Sequence, residues 1–187
     1  MLKSEARNLL LQKRKSITQV DCLKWDDLLL IQCQKLDWSQ VQCIGSFYPL
    51  EQQNEPNAML LIQYLKFLIP NLKVAYPKVN EGDMTMDFYE ESEYTTENKW
   101  GIQEPVPHHL LFPEALDAFL VPLIGFDQLG HRVGFGKGFY DKYFARCTHS
   151  PKRIGISYFE PIPNIEDTHE FDVPLTECIT PWNRYEF

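Results

Sequence analysis

The sequence predicts an α/β fold: a three-layer α/β/α arrangement around a mainly parallel central sheet, in a single compact domain over residues 1–187. Three observations predict it. Short apolar runs that suit buried strands alternate with helical segments, the pattern of a sheet covered on both faces. The composition, 44% hydrophobic and 13% aromatic, supplies a core and excludes a disordered chain. The length of 187 residues matches one domain of roughly 150.

Residues 1–15 read as a helix carrying Lys3, Arg7, Lys13, Arg14 and Lys15 against the single acid Glu5. Ser16-Ile17-Thr18 punctuates. A second helix follows over residues 19–36, with Val20, Leu23, Leu28, Ile31 and Leu36 among its apolar positions. Val41 to Tyr48 is a short apolar strand stopped by Pro49. Pro56 suits the first turn of a helix that Ala58 to Ile69 fill and Pro70 ends. Leu72 to Tyr76 reads as a strand stopped by Pro77. Residues 81–98 hold seven acids and no Lys or Arg, which predicts a solvated hairpin and loop. Leu116 to Pro122 is a buried strand, Phe139 to Arg146 a helix, Arg153 to Ser157 a strand and Cys178 to Thr180 one more.

Composition excludes several function classes. The formal net charge of −8 disfavours a general nucleic-acid binder or an anionic-membrane protein. No apolar run approaches the ~20 residues of a membrane span, and Leu9-Leu10-Leu11 is too short for a signal-peptide core. The five cysteines (Cys22, Cys33, Cys43, Cys147, Cys178) are scattered, so free thiols in a reducing cytoplasm are expected rather than disulfides or zinc. The five histidines match no metal spacing.

The chemistry concentrates in one stretch. Five of the nine glycines (Gly125, Gly130, Gly134, Gly136, Gly138) lie between positions 125 and 138. Glycine at every second position clears side chains from the backbone and permits φ > 0, so successive amides can converge on an anion. Arg132 and Lys137 add positive charge, and a following helix adds its N-terminal dipole. A Walker A motif fails because Gly138 follows Lys137, and a Rossmann fingerprint fails because Phe139 stands where glycine is needed. At 100° per residue, Lys3, Arg7 and Arg14 fall within about 40° of each other, either a solvated basic face or a cationic stripe turned toward phosphate.

The pattern Asp127-x-x-Gly130-x-Arg132-x-Gly134-x-Gly136-x-Gly138-x-Tyr140-Asp141 resembles the 5-formyltetrahydrofolate cyclo-ligase family. The resemblance extends to Lys3 and Arg7, Phe47-Tyr48-Pro49, Val74 to Lys78, Lys99-Trp100-Gly-Ile102-x-Glu104-Pro105, and Phe171-Asp172-Val-Pro-Leu. It implies a cytoplasmic monomer that binds ATP, Mg²⁺ and a reduced folate in one cleft. Its partners would be small molecules, not nucleic acid or membrane. The γ-phosphoryl group of ATP would activate the formyl oxygen of 5-formyltetrahydrofolate, and nitrogen 10 would then close the ring to 5,10-methenyltetrahydrofolate.

Carried over residue by residue, the resemblance implies ATP binding at Lys3, Arg7 and the segment Arg132, Val133, Gly134, Phe135, Gly136, Lys137, Gly138, Phe139 and Tyr140. Arg132 and Lys137 are the expected catalytic cations. Asp141 and Asp172 are the expected Mg²⁺ ligands, with a helix cap as the alternative role for Asp141. Tyr48, Glu55, Trp100, Gly136, Lys137, Phe139 and Tyr140 are expected at the folate. Glu51 rivals Glu55, because Glu51 to Asn54 lengthens the loop beyond the family's pattern. Tyr48 and Trp100 can stack on the ligand or simply fill the core. Phe139 stands where relatives often have tyrosine, which leaves stacking alone. The same residues also admit a non-catalytic nucleotide or folate binder, or another phosphoryl-handling enzyme, and an ATP-dependent product separates these readings.

Overall fold

The computed structural model describes residues 1–187. In chain order the elements are α1 (Lys3–Lys15), α2 (Gln19–Cys33), β1 (Cys43–Gly45), α3 (Ala58–Leu68), β2 (Lys73–Asn80), β3 (Thr85–Glu90), β4 (Thr95–Glu97), β5 (Gln103–Pro105), β6 (Leu110–Leu111), β7 (Ala118–Pro122), β8 (Gly125–Phe126), β9 (Arg132–Val133), α4 (Phe139–Phe144), β10 (Lys152–Ile156), β11 (Glu177–Ile179) and β12 (Arg184–Glu186). Eight strands make the main sheet in the order β12-β11-β10-β7-β1-β2-β3-β6. From β11 to β2 the neighbours are parallel, while β12, β3 and β6 join antiparallel at the edges. β4 with β5 and β8 with β9 form two small ribbons.

Strand residues alternate between two cores. Ile44, Val74, Tyr76, Ala118, Leu120, Ile154 and Ile156 pack with Leu29 and Cys33 of α2 and Leu61, Ile62 and Leu65 of α3. Ala75, Phe88, Phe119, Val121 and Cys178 face the other way and pack with Tyr143 and Phe144 of α4. Ala6 and Leu10 of α1 close a third cluster with Ile124, Val133 and Ile165. This is a mainly parallel sheet flanked by helices, as the alternation of apolar runs predicts.

The local chemistry adjusts several expected boundaries. Thr18 Oγ1 accepts from the amide of Asp21 and starts α2. The helix ends at Cys33, short of residue 36, where the indole of Trp38 donates to the Cys33 carbonyl at 2.9 Å. Asn57 caps α3, which leaves Pro56 just before the helix rather than in its first turn. β2 runs through Pro77 to Asn80 rather than stopping at Tyr76. The amide of Val79 points away from β3 and donates to Glu104 Oε1 at 3.0 Å. Pro77, two positions earlier, turns its missing N–H to that same free side and breaks no ladder bond. The acidic stretch is a hairpin, but one arm is β3, a strand of the main sheet with Met86 and Phe88 buried at alternate positions.

Gly45 shows how tightly the sheet is packed. A Cβ there would stand 2.5 Å from Phe119 Cδ1 and 2.9 Å from Phe88 Cε1, whereas one at Gly82 would meet nothing within 4 Å. Gly45→Ala should therefore cost about 1–3 kcal/mol of stability through overpacking. Gly82→Ala should change it by less than about 0.5 kcal/mol. Urea unfolding of both variants checks the contrast, and equal midpoints would contradict it.

Candidate active site

A cleft of about 750 Å³ opens beyond the carboxyl ends of β1 and β7, where parallel sheets customarily bind ligands. Its lining draws on every region that the sequence singles out: α1, the segment after β1, β2, the Trp100 loop, the glycine loop and the Asp172 segment.

The basic stripe of α1 turns inward. Arg7 Nε donates to the carbonyl of Gly134 at 2.8 Å. Lys3 Nζ pairs with Asp172 Oδ2, and the Lys3 amide donates to Asp167 Oδ1 at 2.7 Å. Arg14 is wholly buried behind the cleft, where Nη2 donates to the Leu123 carbonyl at 2.5 Å and Nη1 stands 3.7 Å from Glu55 Oε1. The stripe is structural and cationic at once.

The glycine loop has the backbone freedom its spacing predicts at two of three positions: φ is +87° at Gly136 and +69° at Gly138. A Cβ on Gly136 would lie 3.5 Å from Arg7 Nη2. That is ordinary van der Waals contact, so the positive φ rather than a clash calls for glycine at this point, and the guanidinium lies directly against the loop. Phe135 and Lys137 are exposed on the cleft, and Lys137 pairs with no acid. Val133 is not brought into the cleft. It is fully buried against Ala6 and Leu10, because the side chains of β9 alternate and Arg132 takes the cleft side.

Arg132 is largely sequestered. Nη2 pairs with Asp141 Oδ1 at 2.5 Å, Nη1 donates to the Val173 carbonyl, and the guanidinium lies 5.5 Å from the Phe144 ring centroid. Burial lowers its pKa and the Asp141 carboxylate opposes the shift, so it stays a fixed cation. Asp141 also accepts from the Val173 amide at 3.0 Å. It is not the cap of α4: that position belongs to left-handed Gly138. Burial works to raise the Asp172 pKa, but bonds from Lys3 and from the His169 amide outweigh it and hold the carboxyl below its usual range. Asp141 Oδ2 and Asp172 Oδ1 make no hydrogen bond within the protein.

Aromatic and acidic groups line the rest. Tyr48 stacks on Tyr76 with centroids 4.1 Å apart. Trp100 meets Phe139 edge-on at 6.0 Å, and both are half-buried rather than lost in the core. Glu55 is buried in the lining, whereas Glu51 sits on an exposed turn outside it. The lengthened loop is responsible. Asn54 adopts φ +49° and its amide group caps the carbonyls of Arg14 and Ile17, which turns the next side chain inward. The Tyr140 hydroxyl is buried without a partner.

Two lining carboxylates carry no role in the sequence reading. Glu104 is buried and accepts from Lys78 Nζ, the Val79 amide and Asn98 Nδ2, which ties the Trp100 loop to β2. Asp167 holds the start of α1. Glu104 lies within a recognisable motif, so that signal was present. For Asp167 the sequence offers none.

With this geometry in place, comparison with known proteins is direct. The chain matches the 5-formyltetrahydrofolate cyclo-ligase family over residues 1–181. A 5-formyltetrahydrofolate cyclo-ligase of Mycoplasma pneumoniae is 29% identical over 164 residues, covering 84% of this chain and 86% of the relative. The solved structure of a 5,10-methenyltetrahydrofolate synthetase from Mycoplasma pneumoniae superposes with a TM-score of 0.78 at 26% identity, over 97% of this chain and 99% of that one. The NMR structure of the Aquifex aeolicus 5,10-methenyltetrahydrofolate synthetase gives 0.79 at 26% identity, over 100% and 93%. With its glycine loop, its inward-turned cations and its fold shared with these enzymes, the chain belongs to the 5-formyltetrahydrofolate cyclo-ligase family.

Proposed function

We propose that this enzyme converts 5-formyltetrahydrofolate to 5,10-methenyltetrahydrofolate at the expense of ATP, with Mg²⁺, and releases ADP and phosphate. The observation that carries the reading is the joining, in one cleft, of an open glycine loop that bears Lys137 and is faced by Arg7 with a buried carboxylate and half-buried aromatic faces. The first group suits a triphosphate, the second a flat heterocycle with N–H donors. The reading extends to a single-domain cytoplasmic monomer. A family match over residues 1–181 and a single eight-stranded main sheet support one domain, and five unpaired cysteines support a reducing compartment. No helix is long and apolar enough to cross a membrane.

The chemistry explains the need for ATP. A formamide oxygen is a poor leaving group. Transfer of the γ-phosphoryl to it gives an iminium phosphate, on which nitrogen 10 closes the five-membered ring as its proton and then phosphate depart. The protein has to align the formyl oxygen with the γ-phosphorus and balance the charge. Lys3, Arg7 and the segment Arg132 to Tyr140 hold the nucleotide in this reading, Val133 through its backbone alone. Lys137, unpaired and exposed, is the cation free to follow the moving phosphoryl, and Arg132 supplies fixed charge. Tyr48, Trp100 and Phe139 offer faces to the folate, and Glu55 and Tyr140 offer polar atoms.

Asp141 and Asp172 fit Mg²⁺. The ion takes one or two carboxylates and completes its shell with water and phosphate oxygens, and each acid keeps one oxygen without a protein partner. When bound, the ion would neutralise charge on the phosphate oxygens.

Three outcomes are expected. The wild type should form the methenyl chromophore from 5-formyltetrahydrofolate only when ATP is present. Lys137→Ala should lower kcat/KM for ATP by about 10- to 150-fold, the equivalent of one charge-assisted hydrogen bond at ~1.5–3 kcal/mol. Product without ATP, or wild-type kinetics in the variant, would sink the assignment. For the metal, Asp141→Asn and Asp172→Asn should each raise the Mg²⁺ concentration for half-maximal rate. The double variant should cost less than the sum of the singles, because both acids serve one ion. Strict additivity in the Mg²⁺ titration would argue against a shared site.

A further inference from the structure

Six buried side-chain polar atoms lack a hydrogen-bond partner, and four of them belong to three residues in one place. They are Arg14 Nε and Nη1, Glu55 Oε1 and the Tyr140 hydroxyl. Unpaired buried polar atoms cost free energy, so such a concentration calls for a cause. Glu55 and Tyr140 line the cleft, whereas Arg14 lies behind it.

The bonding shows which atoms are spoken for. Glu55 Oε2 accepts from the Leu50 amide at 2.8 Å, which fixes the carboxylate plane. Oε1 keeps its lone pairs, with Arg14 Nη1 at 3.7 Å: near enough for charge, too far for a hydrogen bond. Arg14 cannot swing closer, since Nη2 is anchored on the Leu123 carbonyl and its own carbonyl is held by Asn54 Nδ2. We propose that Arg14 is a positioning residue: its anchored guanidinium stands beside the Glu55 carboxylate at a distance that does not occupy Oε1, and leaves that oxygen free to receive N–H donors of the bound folate. The inference rests on the folate reading of this cleft.

The groups facing Glu55 are few. Arg14 from α1 is the single cation, the Leu50 amide the single bonded donor, and Tyr140 from α4 a neutral hydroxyl. Burial raises the Glu55 pKa, and the Leu50 bond and the Arg14 charge oppose it. Without Arg14 the opposition weakens and Glu55 takes up a proton at a higher pH. A protonated carboxyl is a poorer acceptor, so folate affinity should fall at low pH and recover as pH rises.

Calorimetric titration of 5-formyltetrahydrofolate across the neutral pH range tests this on the wild type, Arg14→Met and Glu55→Gln. In Arg14→Met the midpoint of the Kd profile should move to higher pH, with Kd rising up to about tenfold per pH unit below it. Glu55→Gln should bind weakly at every pH, and ATP affinity should stay near the wild-type value in both. Coincident profiles for wild type and Arg14→Met would overturn the inference. Absence of any folate binding by the wild type would instead count against the functional reading. If Arg14→Met does not fold, the unpaired buried carboxylate is the expected reason, and the double variant Arg14→Met/Glu55→Gln should fold. A double variant that is also unfolded would make Arg14 a prop indifferent to Glu55, and the inference would fall.

Discussion

The hydrogen bond from Arg7 Nε to the Gly134 carbonyl joins two segments 127 residues apart, and the cleft depends on it. It fixes the first helix against the glycine loop, so that the start of α1 becomes a wall of the site. Around it the other long-range ties fall into place. Lys3 reaches Asp172, the Lys3 amide reaches Asp167, and Arg14 reaches Leu123. The apolar partners Ala6 and Leu10 supply the adhesion, while the cations supply the register.

Charge in this cleft is divided between committed and free groups. Arg132, Asp141, Lys3 and Asp172 are arranged as two ion pairs that share the Asp172–Val173 segment, since Arg132 and Asp141 both bond the Val173 backbone. Lys137 and the loop backbone around Gly136 are left open. A polyphosphate entering here meets positive charge that is already held in place, with little side-chain ordering left to accomplish. A buried carboxylate and an unpartnered hydroxyl wait in the same cavity, which is how one pocket can suit two unlike substrates.

Much of this was legible in the sequence, and the failures have physical reasons. Alternating apolar runs and the breaks between them disclosed the sheet and helices, and alternate glycines disclosed the loop. A strand that continues through Pro77 reads as one that ends there, because the side to which the missing N–H points depends on pairing that no local pattern records. β3 hides within an acidic run, since only Met86 and Phe88 face the core. The same holds at the site. Lys3, Arg7 and the loop follow from spacing and resemblance, and the choice of Glu55 over Glu51 agrees with the inward turn set by Asn54. Nothing local distinguishes buried Arg14 from a solvated basic residue. Its partners lie at positions 55 and 123, and only the tertiary structure brings them together.

The central claim is that the γ-phosphoryl of ATP is transferred to the formyl oxygen before the ring closes. Isotopic labelling tests it directly. With 5-formyltetrahydrofolate carrying ¹⁸O in its formyl group, a single turnover in unlabelled water should deliver that oxygen to the released inorganic phosphate, detectable by mass spectrometry or by the isotope shift of the ³¹P resonance. Unlabelled phosphate, with the ¹⁸O recovered in water, would contradict the account.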